Sequence, residues 1–423
     1  MADLRTKFCG IKVKNPIVVT SCDFGETERL AGRVIEQGIG VLVSKTIHKI
    51  DGPHRWPRPF FYSLKPFGND LKDSWICSQM FSSINYEEWM SIEGPKIVKL
   101  CKENNVMFVG SICGIGIDLK SWIDLCKDME SIGVDMIELD TGGPHATFGA
   151  VEAQKDVGAP LALDTEKASI IAKACAKAVN IPVMFKMTPQ CINMAEMAIA
   201  VSKAGIGAIS ANNALYGTWI DHKTGTFYGG NYACGGLIGR GWQLYSLAKV
   251  MEITTTVETP VCGIGGIFNS DDVVRYLMAG CQVAGMCSAI YSRGVEVLGK
   301  TIKDLNDFMD RKGYKNIDEI VGKVVDDFIY LRDWPREEIM SKYSPVIAKI
   351  DESKCTSCGI CAKLCAYGAI EMTSNGPEIN NDYCKGCGWC VGHCPTQAIK
   401  MYEKESGDLV WNGRGLPTKW AKK

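Results

Sequence analysis

The sequence predicts an α/β chain in which a (β/α)8 TIM barrel is followed by a small α+β domain built around two cysteine quartets. Three observations carry that expectation. Short β-like runs alternate with helix-length segments from residue 16 to about residue 310. Eight such runs can be picked out, and eight strands with helical crossovers over that length is the arithmetic of a barrel. Eight of the 20 cysteines then fall within residues 355–394.

The expected strands are 16–20, 40–45, 106–111, 136–140, 183–186, 208–211, 261–264 and 283–286. Continuous apolar runs of this kind suit a parallel sheet, which is covered on both faces. Helical patterns lie between them, at 26–37, 119–131, 165–179 and 194–203. An open, doubly wound sheet is the alternative that the same alternation allows. Two connections, 47–85 and 213–236, exceed ordinary loop length and are rich in aromatic residues. Both follow strands, so they belong over the C-terminal mouth, where barrel enzymes place their chemistry. The expected boundaries are a barrel over 1–315, a helical linker over 316–347, the cysteine-rich domain over 348–402 and an irregular tail over 403–423.

Apolar residues make up 46% of the chain and the formal net charge is −1. That balance argues against nucleic acid and against an acidic membrane surface as partners. No apolar run reaches spanning length and no secretion signal opens the chain, so a cytoplasmic location is expected. Cysteines outside the quartets, such as Cys175, Cys262 and Cys281, sit singly in apolar patterns, where a free thiol behaves as a small hydrophobe. A reducing interior, such as that of an anaerobe, suits this usage.

The quartets are Cys355, Cys358, Cys361 and Cys365, then Cys384, Cys387, Cys390 and Cys394, each spaced C-x2-C-x2-C-x3-C. The spacing is similar to that of bacterial two-cluster ferredoxins, where the fourth cysteine of each run ligates the other cluster. The expected partition is Cys355, Cys358, Cys361 and Cys394 on one [4Fe–4S] cluster, and Cys384, Cys387, Cys390 and Cys365 on the second. Residues 354–370 echo residues 383–399 as a small internal repeat. Zinc also takes C-x2-C pairs, but seldom in this triplet-plus-one spacing.

A chain with two clusters needs an organic cofactor that exchanges two electrons one at a time. Glycine groups at 263–266 and 234–239, and the strand end at 286–289, could cradle a phosphate through their N–H groups. Lys45 and Lys186 each end an apolar strand and call for an anionic partner there. No G-x-G-x-x-G follows a strand, so a dinucleotide site is not expected. These features together point to FMN.

At this point the chain resembles the dihydroorotate dehydrogenase superfamily, most closely the FMN and ferredoxin portion of the dihydropyrimidine dehydrogenases. The resemblance is carried by Thr20-Ser21, Lys45-Thr46, Glu138-Leu139-Asp140, Gly143-Pro144-His145, Lys186-Met187-Thr188-Pro189, Asn212-Asn213, Gly235-Gly236, Gly265-Gly266 and Cys287-Ser288. It implies an FMN at the barrel mouth, with Lys45, Lys186 and Asn213 at the ring. It places the glycine groups and Cys287-Ser288 on the phosphate, and Thr20, Ser21 and Thr46 among the remaining contacts. The family reaction is hydride transfer between the flavin and a C=C beside a carbonyl in a cyclic amide, with a general acid at the neighbouring carbon.

Several positions depart from that pattern. Asp140 stands where relatives carry asparagine, Gly143 where the dihydropyrimidine enzymes carry their acid cysteine, and Ala214 where a threonine helps hold the pyrimidine. Asn85 is the nearest counterpart of an asparagine expected in the first long loop. A buried polar mismatch costs about 1–3 kcal/mol, so the substrate is not expected to be uracil, thymine or dihydroorotate. His145 is the first substitute acid, with Asp140 as a polar contact or second candidate and Tyr216, Cys22 and Cys113 behind them.

The expected function is an FMN- and iron–sulfur-dependent oxidoreductase that reduces, or forms, a C=C conjugated to a carbonyl in a small cyclic substrate. Its electron partner would be an NAD(P)H-oxidising FAD subunit or a ferredoxin, in a homodimer or hetero-oligomer. An electron-transfer subunit without a substrate and a dihydropyrimidine dehydrogenase subunit are the alternatives.

Overall fold

The computed structural model describes residues 2–49, 59–143, 159–228, 235–330, 333 and 345–414. The chain divides into two compact units, Met1–Asp326 and Asp327–Lys423.

All eight expected strands form the first unit: β1 (Ile17–Val19), β2 (Val41–Val43), β3 (Met107–Cys113), β4 (Met136–Asp140), β5 (Val183–Lys186), β6 (Ala208–Ala211), β7 (Val261–Ile264) and β8 (Val283–Met286). Each pairs in parallel with the next, and β8 returns to β1 through Gly285 opposite Val18. That last pairing closes the barrel and excludes the open sheet. Val18, Val41, Val109, Met136, Met184 and Val283 fill the interior. Phe8 and Val13, from a hairpin of Thr6–Phe8 and Ile11–Val13, join that layer at the strands' N-terminal ends. Alternate residues such as Leu42, Phe108, Ile137, Phe185 and Ile209 point outward into the helical layer. Every strand is therefore buried on both faces, which explains its unbroken apolar run.

The helices begin where short polar side chains can cap them. Asp118, Asp164, Asn193 and Asn269 each accept a backbone N–H in the first turn of the helix that follows. Such caps contribute about 1 kcal/mol each. The helix Leu119–Ile132 stops at Gly133, whose φ of +86° suits a residue without Cβ.

The two long connections hold more structure than their composition suggests. They meet in a four-stranded antiparallel sheet, ordered Leu215–Gly217, Gly235–Gly239, Ser74–Cys77 and Phe61–Ser63. Tyr62, Leu64 and Ile76 give this cap a small core of its own. Acidic side chains pin it to the barrel: Glu26 accepts from Ser82 Oγ at 2.8 Å and Ser83 N at 2.7 Å, and Asp73 pairs with Arg293 at 3.2 Å. Gln79 and Tyr291 both donate to Asp23.

Two boundaries also move. The described residues of the expected helical linker include the 3-10 turn Ile317–Glu319, a 3-10 residue at 333 and the start of the strand Val346–Ile350, and Ile317 and Ile320 are buried in the barrel's core cluster. Past residue 403, Leu409–Trp411 is a strand paired with Ile399–Glu403, so that part of the expected tail belongs to the sheet.

The second unit pairs Val346–Ile350 with Ile399–Glu403 and adds a hairpin of Ile370–Thr373 and Gly376–Ile379. The sequence repeat is visible in its backbone. Helices Ile360–Leu364 and Trp389–His393 both start after a glycine with φ +75°, ψ −3°, Gly359 and Gly388. Ala348, Ile370, Val391, Ile399 and Met401 form its apolar core. Among the described residues, no helix is long and apolar enough to cross a membrane.

Gly25 shows how tightly the barrel wall is drawn. A Cβ there would lie 2.2 Å from the carbonyl oxygen of Val43 and 2.6 Å from Ser44 Cα, and β2 is paired on both sides and cannot retreat. Gly25→Ala is expected to cost about 1–3 kcal/mol, read as a lower urea midpoint at unchanged slope.

Candidate active site

The C-terminal ends of the barrel strands carry the polar side chains that a core would reject. Ser111 lies on β3, Glu138 and Asp140 on β4, Lys186 on β5, and Lys45 and Thr46 follow β2. All six are buried. Lys186 Nζ lies 3.3 Å from Glu138 Oε1 and 3.8 Å from Asp140 Oδ2. Burial works against its charge, but Asp140 and Glu138 outweigh that and hold its pKa above the ordinary lysine value. Ser111 Oγ donates to Glu138 at 2.9 Å. Thr46 Oγ1 donates to Asp140 Oδ2 at 2.7 Å, and Asn213 Nδ2 donates to Asp140 Oδ1 at 3.0 Å. Both oxygens of Asp140 are thus engaged, so it positions three neighbours.

A single cavity collects the residues expected to hold the cofactor. Thr20, Ser21, Lys45, Thr46, Lys186 and Asn213 line it, as do Gly236, Gly265, Gly266, Cys287, Ser288 and Asp140. Gly235 is the exception: it lies opposite Gly217 in the cap sheet, off the cavity wall. The glycines expected to precede a helix as a phosphate cradle are a cap strand instead, and a 3-10 turn, Arg240–Trp242, separates them from helix Gln243–Thr254. Asn85 also lies elsewhere, as the N-cap of the short helix Tyr86–Glu88. Tyr216 is 53% exposed on the cap, and Cys113 is buried with its thiol on the Gly114 carbonyl. His145 lies outside the described residues.

The cavity fits a flavin phosphate and ring by its own chemistry. Lys45 is buried at its wall with no carboxylate in ion-pair range among the described residues. Asn212 also lines it, and its side-chain oxygen is buried without a hydrogen-bond partner. Gly266 has φ +63°, and a Cβ there would stand 2.9 Å from Gly239 O. Exposed N–H groups at such a bend are an anion cradle.

The second unit has two cavities among its cysteines. One is lined by Cys355, Cys358, Cys361 and Cys394, the other by Cys365, Cys384, Cys387 and Cys390. Backbone N–H groups of Ser357, Ala369 and Ala398 point at the sulfurs of Cys355, Cys365 and Cys394, at 3.4, 3.3 and 3.2 Å. Bonds of this kind favour thiolate and tune a cluster's potential.

Sequence reasoning passes over Cys77 and Gln79, which line the cavity from a connection that reads as loop, and over Glu138, which holds Lys186 from beneath the lining. Alternation in the strand Ser74–Cys77 was the available signal.

A closed barrel with a flavin cavity at its mouth, in one chain with a dicluster unit, defines an iron–sulfur flavoprotein oxidoreductase. The chain belongs to the dihydroorotate dehydrogenase family, whose model matches residues 3–309, and a 4Fe–4S dicluster domain model matches residues 348–401. Its cofactors are FMN and two [4Fe–4S] clusters, and its class is that of oxidoreductases acting on CH–CH bonds. The chain is 29% identical over 320 residues to dihydroorotate dehydrogenase B (NAD(+)), catalytic subunit, of Methanocaldococcus jannaschii, covering 75% of this chain and 97% of that one. It is 25% identical over 375 residues, 86% of each chain, to NAD-dependent dihydropyrimidine dehydrogenase subunit PreA of Escherichia coli K12.

Glu138→Gln should destabilise the fold by about 1–3 kcal/mol near neutral pH, since Asp140 remains to face Lys186. Because the folded pKa of Lys186 is raised, its stabilisation is present below the unfolded value of about 10.4 and is lost as pH climbs through the folded one. The gap between wild type and variant in urea titrations should therefore narrow at strongly alkaline pH. The cysteine cavities predict a second outcome. The double variant Cys355→Ser/Cys394→Ser should lose about half of the iron, because both ligands serve one cluster. Near-complete loss by iron assay would instead mean that each run holds its own cluster.

Proposed function

We propose that this protein reduces, or forms, a C=C conjugated to a carbonyl in a small cyclic substrate, with electrons passing between FMN and an outside partner through the two clusters. The observation that carries the substrate reading is the cap. Phe61, Cys77, Gln79, Met80, Phe81 and Ile238 of the cap line the same cavity as the flavin residues. A subunit that only relays electrons has no need of a shaped and mostly apolar chamber.

FMN, when bound, supplies or accepts an electron pair at its ring. The chain's own residues do the rest. Lys45 and Lys186 balance negative charge at the ring, while Gly265, Gly266, Cys287 and Ser288 take the phosphate. Asp140 fixes Thr46, Asn213 and Lys186 in place, and the cap excludes water.

The substrate is read as something other than a pyrimidine. Asn213 gives one Nδ2 hydrogen to Asp140 and its Oδ1 accepts from Ala214 N at 2.8 Å, so half of its amide's bonding capacity is already spent on protein partners. Ala214 carries no hydroxyl. The electron partner is proposed to be an NAD(P)H-oxidising FAD subunit, with a ferredoxin as the alternative. Support comes from the relatives, which are described as NAD-dependent and as subunits. A homodimer or hetero-oligomer inside a reducing, cytoplasmic compartment fits such an assembly.

The test is the flavin spectrum of the purified protein titrated with cyclic enones, dihydro-aromatic compounds, uracil and dihydroorotate. Enones without ring N–H groups should perturb it at roughly tenfold lower concentration than the pyrimidines, the equivalent of about 1.4 kcal/mol. A spectrum that no compound perturbs would sink the enzyme reading and leave the relay.

A further inference from the structure

We propose that the Cys77 thiol is the proton donor of the reductive reaction, serving the substrate carbon next to the one that receives hydride. The proposal rests on the substrate reading above.

The first argument narrows the proton-bearing side chains of the described residues at the cavity, Lys45 and Ser288 being already assigned to the cofactor. Thr46 gives its hydroxyl proton to Asp140, and Lys186 is held by Glu138 and Asp140. Tyr291 Oη donates to Asp23 at 2.8 Å. Cys22 and Cys287 engage each other thiol to thiol. Gly143 offers no side chain, and no described residue puts an atom within 4 Å of the place its Cβ would occupy.

Cys77 stands in the wall with its proton uncommitted. It ends the cap strand Ser74–Cys77, in which Ser74 and Ile76 are buried, while Trp75 and Cys77 share the other face. Trp75 stacks on Phe268 of the barrel's core cluster at 6.5 Å, so this face of the cap sheet turns toward the barrel. Ile76 faces the cap's own core. Cys77 lies opposite Gly236 on one side and Phe61 on the other, and all three line the cavity, Gly236 adding no side chain of its own beside the thiol.

The surroundings suit a donor that must recover. Burial pushes the thiol's pKa up to about 12, so it is protonated at neutral pH. The Gln79 backbone N–H and the Lys45 charge work the other way, and both stabilise the thiolate that remains after transfer.

The balance is simple. Bound FMN would supply the electron pair with one hydrogen to the first carbon, where the C=C π bond breaks. Cys77 Sγ–H supplies H⁺ to the second carbon. The thiolate then regains a proton from water.

Two probes test this on full-length, FMN-loaded protein. Maleimide is a small cyclic imide whose conjugated C=C adds thiols. The thiolate is the form that adds, so labelling of Cys77 on the oxidised protein should rise with pH, and 2-cyclohexenone should protect it in peptide maps. A Cys77 that stays unlabelled at alkaline pH, or that the enone does not protect, would overturn the proposal. Single-turnover reduction of 2-cyclohexenone by the dithionite-reduced protein should slow about 100-fold or more in Cys77→Ala at unchanged flavin content. Cys77→Ser should recover part of the rate and shift the pH profile. Wild-type rate and pH profile in Cys77→Ala would also overturn it. Wild type that reduces no cyclohexenone counts against the proposed function, while the maleimide map still decides where Cys77 points.

Discussion

A lysine ammonium buried between two carboxylates organises this molecule. Burial works against the Lys186 charge at the end of an apolar strand, and Asp140 and Glu138, at 3.8 and 3.3 Å, outweigh it. Lys186 and Asp140 end their strands and Glu138 lies two residues earlier on β4, so the cluster exists only because β4 and β5 are neighbours in register, Glu138 opposite Met184 and Asp140 opposite Lys186. From Asp140 the order spreads through hydrogen bonds to Thr46 after β2 and Asn213 after β6. The barrel thus delivers a rigid polar floor to a cavity whose ceiling comes from elsewhere.

The ceiling is the cap sheet, and it is attached by different physics. Its own core is small, and charged and hydroxyl side chains around Asp23, Glu26 and Asp73 tie it down. A floor held by packing and a roof held by polar ties allow the roof to change more easily between relatives.

How much of this could be read in the chain depended on range. Barrel strands are local apolar runs, and the quartets are fixed spacings, so both could be seen without knowing what lay opposite. The cap could not. Its strands are short, and Gly236 meets Cys77 only after the chain has passed through four of the eight barrel strands. Asp140 was visible as a departure from a motif, but not as an anchor, because its partners come from three other strand ends. The boundary near residue 403 failed for a related reason: Leu409–Trp411 is too short to announce itself and gains its place by pairing.

The repeated backbone of the second unit has one more consequence. Gly359 and Gly388 open their helices at the same angles, and Ala369 and Ala398 aim matching amides at Cys365 and Cys394. The match stops there among the described residues: Ser357 N also faces Cys355, so the cavity shared by Cys355 and Cys394 receives two such amides and that of Cys365 receives one. Hydrogen bonds to sulfur are among the settings of a cluster's potential, so a duplicated backbone still leaves the two halves electrically distinguishable.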